Sequence, residues 1–375
     1  MNANFRNFAL WVIIGLVLIA LFNLFQNSGQ RVAGRDIPYS QFLAEVDQGK
    51  VHNVIISGQQ IAGIYSDGGA FQTFAPEDPE LVRRLEGRGV AITAKPVTES
   101  GTFLISPNAG TSNFAGKECN ANFFVTSYQN DQVFAVSGKH AQDSGIKKVF
   151  LMAPNYQAGK DALAGFKAFF QGEIADEVYV PLNQLDFSAE LARIAAAKPD
   201  AIYVFLPGGM GVNFVKQFRQ AGLAATTTFL SAFTVDESTL PAQQDAALGF
   251  FGGANWAPDL DNPRNKAFVA AYEKEFGAVP ATYAFQAYDA ALLIDSAVRA
   301  LKGDVANREA LRAAMMKADF QSLRGSFKFN TNHYPIQDFY LVKVAKRADG
   351  KFETQIVKKV FENYADSHAK DCPMK

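Results

Sequence analysis

The stretch Lys147 to Phe170, KKVFLMAPNYQAGKDALAGFKAFF, decides the fold. Its first part, Val149 to Met152, is a continuous apolar run, as expected of a strand covered on both faces of a sheet. Its last part repeats apolar residues at helical spacing. The polar loop between them, Ala153 to Lys160, therefore lies at the carboxyl end of a sheet strand, where open α/β sheets bind ligands.

The same alternation of strand and helix continues after this stretch. Short apolar runs alternate with amphipathic segments, which predicts right-handed parallel crossovers. Two longer helices follow them. The predicted strands are Glu177 to Leu182, Ala201 to Leu206, Thr228 to Ser231 and Phe250 to Ala254, and the predicted helices are Ser188 to Lys198, Gly211 to Ala221, Pro263 to Phe276 and Tyr283 to Leu301.

Composition limits the class of protein. The chain has 375 residues, 48% of them hydrophobic, which suits two or three domains with substantial cores. Net charge is −1 and is evenly spread, since residues 1–100 carry 8 basic and 9 acidic residues and the remainder 28 of each. Nucleic-acid binding, which needs a basic face, is not indicated. Cys119 and Cys372 are enough for one disulfide if the compartment is oxidising.

Residues 8–25, FALWVIIGLVLIALFNLF, contain no charge, and 18 helical residues reach roughly 27 Å at ~1.5 Å per residue. This length suits a membrane-spanning helix. A cleavable signal peptide is the alternative, but Leu21 to Gln30 offers no small-x-small cleavage site. We therefore expect an uncleaved anchor in residues 1–35.

The next segment, residues 36–97, has the pattern of a small mixed α+β domain. Three stretches of residues 1–97 carry a family resemblance: NFALWVII before this segment, and YSQFLAEVDQGKV and FAPEDPELVRRLEGRGVAITAKP within it. On these, residues 1–97 resemble the amino-terminal part of the FtsH membrane-bound AAA+ zinc proteases. In that family this segment is the first membrane helix and a small periplasmic domain.

The catalytic chemistry of those proteases is absent from this sequence. Zinc proteolysis needs HExxH, and the histidines His52, His140, His333 and His368 include no pair at that spacing. ATP hydrolysis needs GxxxxGK[ST], and the nearest approach, PNYQAGKD, lacks the first glycine and the final hydroxyl. We find no paired nucleophile and base either, so an enzyme, a catalytic residue, a metal and a cofactor are not predicted.

After a junction at residues 98–102, a second resemblance covers residues 103–375. The motifs that carry it are LISPNAGTSNFAGKECNANFF, TSYQNDQ, KKVFLMAPNYQAGKDALAGFKAFF, AAKPDAIYVFLPGGMG, DLDNPRNKAFVAAYEKEFGAVP, YDAALLIDSAV and LRGSFKFN. They resemble the periplasmic solute-binding proteins of the branched-chain amino acid type, which are receptors of ABC importers. In that family two α/β lobes close over a small solute.

The resemblance implies a set of ligand-binding positions on loops of both lobes. Asn108, Gly110 and Thr111 would offer backbone N–H and hydroxyl donors to a carboxylate, and Tyr156 would pack over the solute. Each residue also has a structural explanation as a turn or packing residue. The full set is Asn108, Gly110, Thr111, Tyr156, Pro207, Gly208 and Phe233.

One departure from the family bears on the ligand. Amino-acid binders commonly hold the ammonium with an acidic residue, and Phe233 stands at the corresponding position. An unpaired buried charge is costly, so this ring favours a carboxylate with an apolar or aromatic body. Asp236 or Glu237 can take over the acidic role, which keeps the amino-acid class open.

A second departure is the missing start of the first lobe. The first lobe would retain residues 103–122 and 254–324. The second lobe would consist of residues 131–250 and 337–361. We expect helices that need the missing sheet to remain poorly covered, and solute affinity to be severely weakened. We also expect a disulfide between Cys119 and Cys372, because the tail from Tyr364 has little apolar content and would otherwise fray; two free thiols are the alternative.

The predicted fold is therefore α/β, a two-lobe, Rossmann-like periplasmic-binding-protein type I fold with a truncated first lobe, preceded by one transmembrane helix and a small α+β domain. The predicted function is a non-enzymatic ABC-importer receptor for a branched-chain amino acid or an aromatic acid, anchored in the inner membrane and facing the periplasm. Its partners would be the solute, an importer permease and the membrane. The alternative is a membrane subunit associated with FtsH.

Overall fold

The computed structural model describes residues 35–76, 78, 80–94, 101–108 and 110–374. The chain divides into two compact units, Met1–Thr102 and Phe103–Lys375, and each is described by itself. The helix expected at residues 8–25 lies outside the described residues. Within the described ranges, no helix is both long and apolar enough to cross a membrane.

The first unit contains a five-stranded sheet in the order β1-β4-β3-β2-β5. Strands β2, β3 and β4 form an antiparallel meander, while β1 pairs with β4 and β5 with β2 in parallel. The core below the sheet includes Phe42, Val54, Phe71 and Leu85. The elements are β1 (Arg35–Asp36), α1 (Tyr39–Asp47), β2 (Val51–Ser57), β3 (Gln60–Tyr65), β4 (Ala70–Phe74), α2 (Leu81–Glu86) and β5 (Ala91–Ala94).

The second unit begins with two short strands and continues as alternating strands and helices. Its first part comprises β6 (Leu104–Ser106), α3 (Ser112–Ala115), β7 (Phe123–Val125), α4 (Asn130–Asp143), β8 (Lys148–Pro154), α5 (Gln157–Lys167), β9 (Glu173–Val180), α6 (Ser188–Ala197), β10 (Ala201–Val204), α7 (Gly209–Gln220) and β11 (Thr228–Ser231). Its second part comprises α8 (Leu240–Gln243), β12 (Phe251–Ala254), α9 (Pro263–Phe276), α10 (Thr282–Ala300), α11 (Arg308–Lys317), β13 (Lys328–Phe329), β14 (Pro335–Lys346) and β15 (Phe352–Tyr364).

The main sheet of this unit has the order β13-β14-β12-β11-β10-β8-β9, with β15 paired to β14. Strands β12, β11, β10, β8 and β9 are parallel, as the alternating pattern predicts. Strand β14 runs antiparallel to β12 and pairs with β15 in a long hairpin, which the sequence had not revealed. A second sheet, separate from the first, consists of β6 and β7 alone.

Both faces of the main sheet are buried, which explains the apolar run in β8. Leu151 packs into a core cluster on one face with Phe134 and Phe166, from α4 and α5. Phe150 packs into the cluster on the other face with Ile194 and Phe214, from α6 and α7. Because successive strand side chains point to opposite faces, every residue of the run is covered.

The expected disulfide is present between Cys119 and Cys372, which lie 253 positions apart in the sequence. Two further contacts hold the carboxyl-terminal segment. His368 Nε2 lies 2.5 Å from Asp131 Oδ2 on α4, and Asn332 Nδ2 donates to Asp366 at 3.1 Å. The tail is therefore tied covalently to the segment after α3 and electrostatically to α4.

Candidate functional site

Three loops that follow parallel strands meet at one edge of the main sheet. Tyr156 follows β8, Phe205 follows β10 and Phe233 follows β11. The ring centroids of Tyr156 and Phe205 are 6.3 Å apart, and those of Phe205 and Phe233 are 6.4 Å apart. The structure thus brings together two predicted site residues, Tyr156 and Phe233, at the edge where open α/β sheets bind ligands.

Two further rings reach Phe233 from outside the main sheet. Tyr128, three residues after β7, stacks on Phe233 with centroids 5.0 Å apart. Tyr283, in the first turn of α10, stacks at 6.3 Å. We call these five residues, Tyr128, Tyr156, Phe205, Phe233 and Tyr283, the aromatic cluster.

The aromatic cluster is shielded from solvent to different degrees. Tyr128, Phe205 and Phe233 are buried, whereas Tyr156 and Tyr283 are half-buried. Burial raises the pKa of the Tyr128, Tyr156 and Tyr283 phenols above the usual value, so all three are neutral donors and acceptors at ordinary pH. The cluster therefore offers ring faces with phenolic groups at its margin.

Two backbone positions in these loops adopt a left-handed conformation. Phe233 has φ 54°, which is rare for a bulky residue and costs on the order of 1–3 kcal/mol when the surroundings enforce it. Gly208 has φ 60° and ψ −134°, a region open to glycine alone. Such strain concentrates at ligand sites, and here it turns the Phe233 ring toward Tyr128.

Gly110, one of the predicted ligand-binding residues, lies beside Tyr128. A Cβ added to Gly110 would come within 1.8 Å of the Tyr128 carbonyl oxygen, so only glycine allows this approach. The Gly110 N–H donates to Asn130 Oδ1 at 3.3 Å, and its carbonyl accepts from the Asn130 N–H at 2.8 Å. Because Asn130 engages the Gly110 N–H, the remaining predicted donors are those of Asn108 and Thr111.

The other predicted residues divide by exposure. Asn108 and Gly208 are exposed, Pro207 and Thr111 are half-buried, and Gly110 is buried. The Thr111 carbonyl accepts from the Tyr334 hydroxyl at 3.1 Å, which fixes the end of the loop. Gly110 and Thr111 are thus held by hydrogen bonds to Asn130 and Tyr334.

Asp236 and Glu237 are the two carboxylates that could pair with a solute ammonium. Glu237 instead forms hydrogen bonds outside the aromatic cluster. Glu237 Oε1 accepts from the Thr354 N–H and hydroxyl, both at 2.7 Å, and the residue lines a cavity of about 300 Å³ that includes Val279 and Phe352. Burial raises the pKa of Glu237 to about 7. This side chain is therefore a structural contact to β15, outside the aromatic cluster.

Asp236 is placed differently. Its Oδ1 accepts from the Ser238 N–H at 2.9 Å and from the Ser238 hydroxyl at 2.5 Å, while its Oδ2 is buried without a hydrogen-bond partner. Burial raises the pKa of Asp236, and its charge in turn raises the pKa of Tyr283 and Tyr128. Among the described residues, a buried carboxylate oxygen in the loop that carries Phe233 thus has no hydrogen-bond partner.

Other buried polar atoms without partners lie close by. They include the Ser127 hydroxyl, next to Tyr128 in sequence, and both amide atoms of Gln286, one helical turn after Tyr283. Leaving such groups unpaired costs about 1–3 kcal/mol each, and their accumulation is typical of a site that water or a ligand completes.

Sequence reasoning did not identify Tyr128, Phe205, Tyr283 or Gln286. Tyr128 lies in the TSYQNDQ motif, and Phe205 is the second-last residue of the predicted strand Ala201 to Leu206, so both had a weak positional signal. Tyr283 and Gln286 had none, because only the packing of α10 brings them to the site. Within the described ranges, no group of His, Cys, Asp and Glu side chains is arranged to hold a metal ion.

Residues 87–351 match the family model described as periplasmic binding protein. A curated relative, the Leu/Ile/Val-binding protein homolog 6 of Brucella melitensis, is 30% identical over 290 residues, which are 74% of this chain and 72% of the relative. The match covers more than half of the chain. The chain therefore belongs to the periplasmic binding protein family.

Two solved structures are also similar. A solute-binding protein of an ABC transporter from R. palustris, in complex with benzoate, has a TM-score of 0.70 and 28% identity, covering 89% of this chain and 92% of that one. One from Rhodopseudomonas palustris BisB5, in complex with 3,4-dihydroxybenzoic acid, has a TM-score of 0.67 and 35% identity, covering 72% and 75%. Both confirm the α/β periplasmic-binding-protein fold.

The beginning of the chain matches a second family model. Residues 8–100 match the model described as FtsH extracellular. The ATP-dependent zinc metalloprotease FtsH of Rickettsia bellii is 40% identical over 105 residues, which are 28% of this chain and 16% of that protease. The chain thus spans about a sixth of the FtsH relative, and both resemblances seen in the sequence are confirmed.

Proposed function

We propose that this protein is a non-enzymatic solute receptor of an ABC importer and that its solute is a small aromatic carboxylate. The observation that carries the proposal is the aromatic cluster at the carboxyl ends of β8, β10 and β11. Ring-on-ring contacts contribute about 0.5–1.5 kcal/mol each beyond the burial of area. Several rings gathered in one cluster therefore favour an aromatic solute over a branched aliphatic one.

The charge distribution agrees with this choice. Phe233 stands where an acidic residue would hold an ammonium, and Glu237 is bonded to Thr354. The similar solved structures carry benzoate and 3,4-dihydroxybenzoate, which are aromatic acids. An aromatic ring with a carboxylate needs no buried counter-charge in the cluster, because its anionic end can face the donor-bearing loop.

We assign roles to the predicted residues on this basis. Asn108 and Thr111 hold the carboxylate through side-chain and backbone donors, and Gly110 allows the loop to approach Tyr128. Tyr156 and Phe233 contact the ring. Pro207 and Gly208 present backbone at the third loop, with Gly208 in a conformation that only glycine adopts.

Isothermal titration calorimetry tests this proposal. The chain is titrated with benzoate, hydroxybenzoates, L-leucine and L-isoleucine. We expect heat from the aromatic acids and none from the amino acids, and Phe233→Ala should weaken binding by about tenfold through lost ring contacts. Phe276→Ala, an exposed ring on α9, is the matched control. Binding of the amino acids alone would disprove the aromatic class.

The remaining assignments concern topology. We propose that residues 8–25 form a single-pass anchor in the inner membrane, that 36–97 form an FtsH-like periplasmic domain, and that 103–375 form the solute-binding domain, which engages an importer permease. The first lobe lacks its opening strands. The support is the match of residues 8–100 to the FtsH extracellular model and of 87–351 to the binding-protein model.

A reporter fused after Lys375 tests the location. We expect an alkaline phosphatase fusion to be active, because that enzyme needs an oxidising compartment, and a cytoplasmic fluorescent reporter to be dark. The reverse result would place residues 36–375 in the cytoplasm and would contradict both the receptor role and the topology.

A second candidate function rests on the FtsH match of residues 8–100. In it, the first unit associates with FtsH in the membrane and the second unit is passive. Co-purification from membranes distinguishes the two. Retention of an importer permease supports the receptor, whereas retention of FtsH that is lost on deleting residues 36–97 supports the protease-associated subunit.

A further inference from the structure

Among the residues that the structure describes, a buried oxygen of Asp236, three positions after Phe233, has no hydrogen-bond partner. Asp236 is 6% exposed, and its Oδ2 is one of the fully buried polar atoms that bond to nothing. The other oxygen, Oδ1, is held by the N–H and hydroxyl of Ser238. The side chain is therefore fixed at one oxygen and unsatisfied at the other.

Asp236 lies in the loop after β11, which also carries Phe233 of the aromatic cluster. Asp236 follows Phe233 by three residues, and the Phe233 ring lies between Tyr128 at 5.0 Å and Tyr283 at 6.3 Å. The Asp236 charge also raises the pKa of the Tyr128 and Tyr283 phenols. The donor-bearing Asn108 to Thr111 loop is tied to Tyr128 and Asn130 instead.

We infer that Asp236 determines specificity by accepting a hydrogen bond, through Oδ2, from a phenolic hydroxyl on the ring of the bound aromatic acid. This inference rests on the proposed function, since it assigns one substituent of the same class of solute. It makes hydroxylated benzoates, and not benzoate itself, the preferred solutes.

A neutral donor suits this oxygen better than an ammonium does. Burying an ammonium with one carboxylate costs the desolvation of two charges, and the geometry must then be excellent to compensate. Oδ1 already receives two hydrogen bonds from Ser238, and the neighbouring Glu237 is bonded to Thr354. A phenolic hydroxyl needs one acceptor only, and it brings no second charge that must be desolvated.

The inference is tested by comparing how tightly different solutes bind to the full-length chain in nanodiscs. Calorimetry is run with benzoate, 3- and 4-hydroxybenzoate, and 3- and 4-methoxybenzoate, up to tens of millimolar. We expect at least one hydroxybenzoate to bind about tenfold or more tightly than benzoate and than its methoxy counterpart, which keeps the oxygen but has no proton to donate.

The second part of the test repeats the solute comparison with the variant Asp236→Asn. Its side-chain oxygen can still accept from Ser238, while its NH₂ can donate to either a hydroxyl or a methoxy oxygen. We expect the preference for hydroxybenzoate over methoxybenzoate to fall to about one. Asp245→Asn, at an exposed residue paired with Lys346, is the matched control and should keep the wild-type preference.

Each other outcome overturns a specific statement. Equal binding of benzoate, hydroxybenzoates and methoxybenzoates by the wild-type chain would keep the aromatic-acid class and disprove the role of Asp236. Tighter binding of L-phenylalanine than of any hydroxybenzoate would also disprove it, because the donor would then be an ammonium. Absence of binding to every aromatic acid would instead disprove the proposed function. If Asp236→Asn fails to fold, the solute comparison decides alone.

Discussion

Arg324 and Asp289 form a buried ion pair, with Nη2 and Oδ2 3.1 Å apart and side chains 4% and 0% exposed. Arg324 also donates to the carbonyl of Thr126 at 2.8 Å and to that of Ser127 at 3.0 Å. Asp289 lies on α10, which also carries Tyr283. The pair therefore joins α10 to the segment that leads into Tyr128, and so positions two rings of the aromatic cluster.

We predict that Arg324→Met destabilises the second unit by about 3–5 kcal/mol, because it leaves the Asp289 carboxylate buried without its counter-charge. Unfolding by urea, followed by the fluorescence of the fully buried Trp256, measures the loss. Arg299→Met is the matched control, since Arg299 pairs with Asp295 at a 79% exposed site and should change stability by less than about 1 kcal/mol.

The double variant Arg324→Met/Asp289→Leu sharpens this prediction. Removing both charges relieves the unpaired carboxylate, so the double variant should be more stable than Arg324→Met alone. If both variants lose the same stability, the ion pair is not the cause, and the lost hydrogen bonds to Thr126 and Ser127 account for the effect.

The Cys119–Cys372 disulfide leads to a second prediction. A bridge across 253 positions restricts the unfolded chain, and the chain-entropy model gives up to ~5 kcal/mol of stabilisation. Cys119→Ser/Cys372→Ser should lower the midpoint of thermal unfolding and make the tail after Tyr364 sensitive to protease. Thiol labelling of denatured, unreduced wild-type protein should detect no free cysteine, and two labelled cysteines would contradict the bridge.

His333 makes the stability of the second unit dependent on pH. Burial lowers the pKa of His333 from 6.5 to about 4, and its ring stacks on Phe124 at 4.3 Å. Because the folded state disfavours the charged form, stability is fully present above pH 6.5 and is lost as the pH falls toward about 4. The expected loss is on the order of 3 kcal/mol.

His333→Asn tests this dependence, since Asn tolerates the left-handed backbone of this position, φ 62°. We expect the variant to lose less stability than the wild type between pH 6.5 and 4, measured by urea unfolding at each pH. His52→Asn, at an exposed residue of β2, should leave the wild-type dependence intact. If His333→Asn and the wild type lose the same stability between pH 6.5 and 4, the prediction is refuted.

The proposed loss of the first lobe's opening strands predicts weak solute affinity. Several apolar residues of α9 and α10 are not fully buried: Phe276 and Ala291 are exposed, and Phe268, Tyr272, Leu292 and Val298 are half-buried. Each uncovered large side chain forfeits ~1.5–3 kcal/mol of burial. Calorimetry of residues 36–375 should therefore show binding weaker than micromolar. Micromolar binding together with one cooperative unfolding transition would show that the first lobe is complete enough to fold and bind solute, and would contradict this prediction.

The parallel sheet was predictable because its signals are local. The run Val149 to Met152 is apolar at every position, which only a strand buried on both faces allows, and β11 and α9 have the bounds that the sequence suggested. The pair β14 and β15 was not predicted as strands, because its register shifts and exposed positions interrupt the alternation that marks a strand.

The sequence by itself determined the two family resemblances, the parallel α/β architecture, the possibility of one disulfide, and the loops in which Tyr156 and Phe233 lie. Tertiary structure decided which rings face each other, that Asn130 engages the Gly110 N–H, and that Glu237 bonds to Thr354 while Asp236 Oδ2 bonds to nothing. The physical reason is distance along the chain. Strand and helix patterns arise from neighbouring residues, whereas Tyr128, Phe233 and Tyr283 meet only when a whole sheet and α10 have packed.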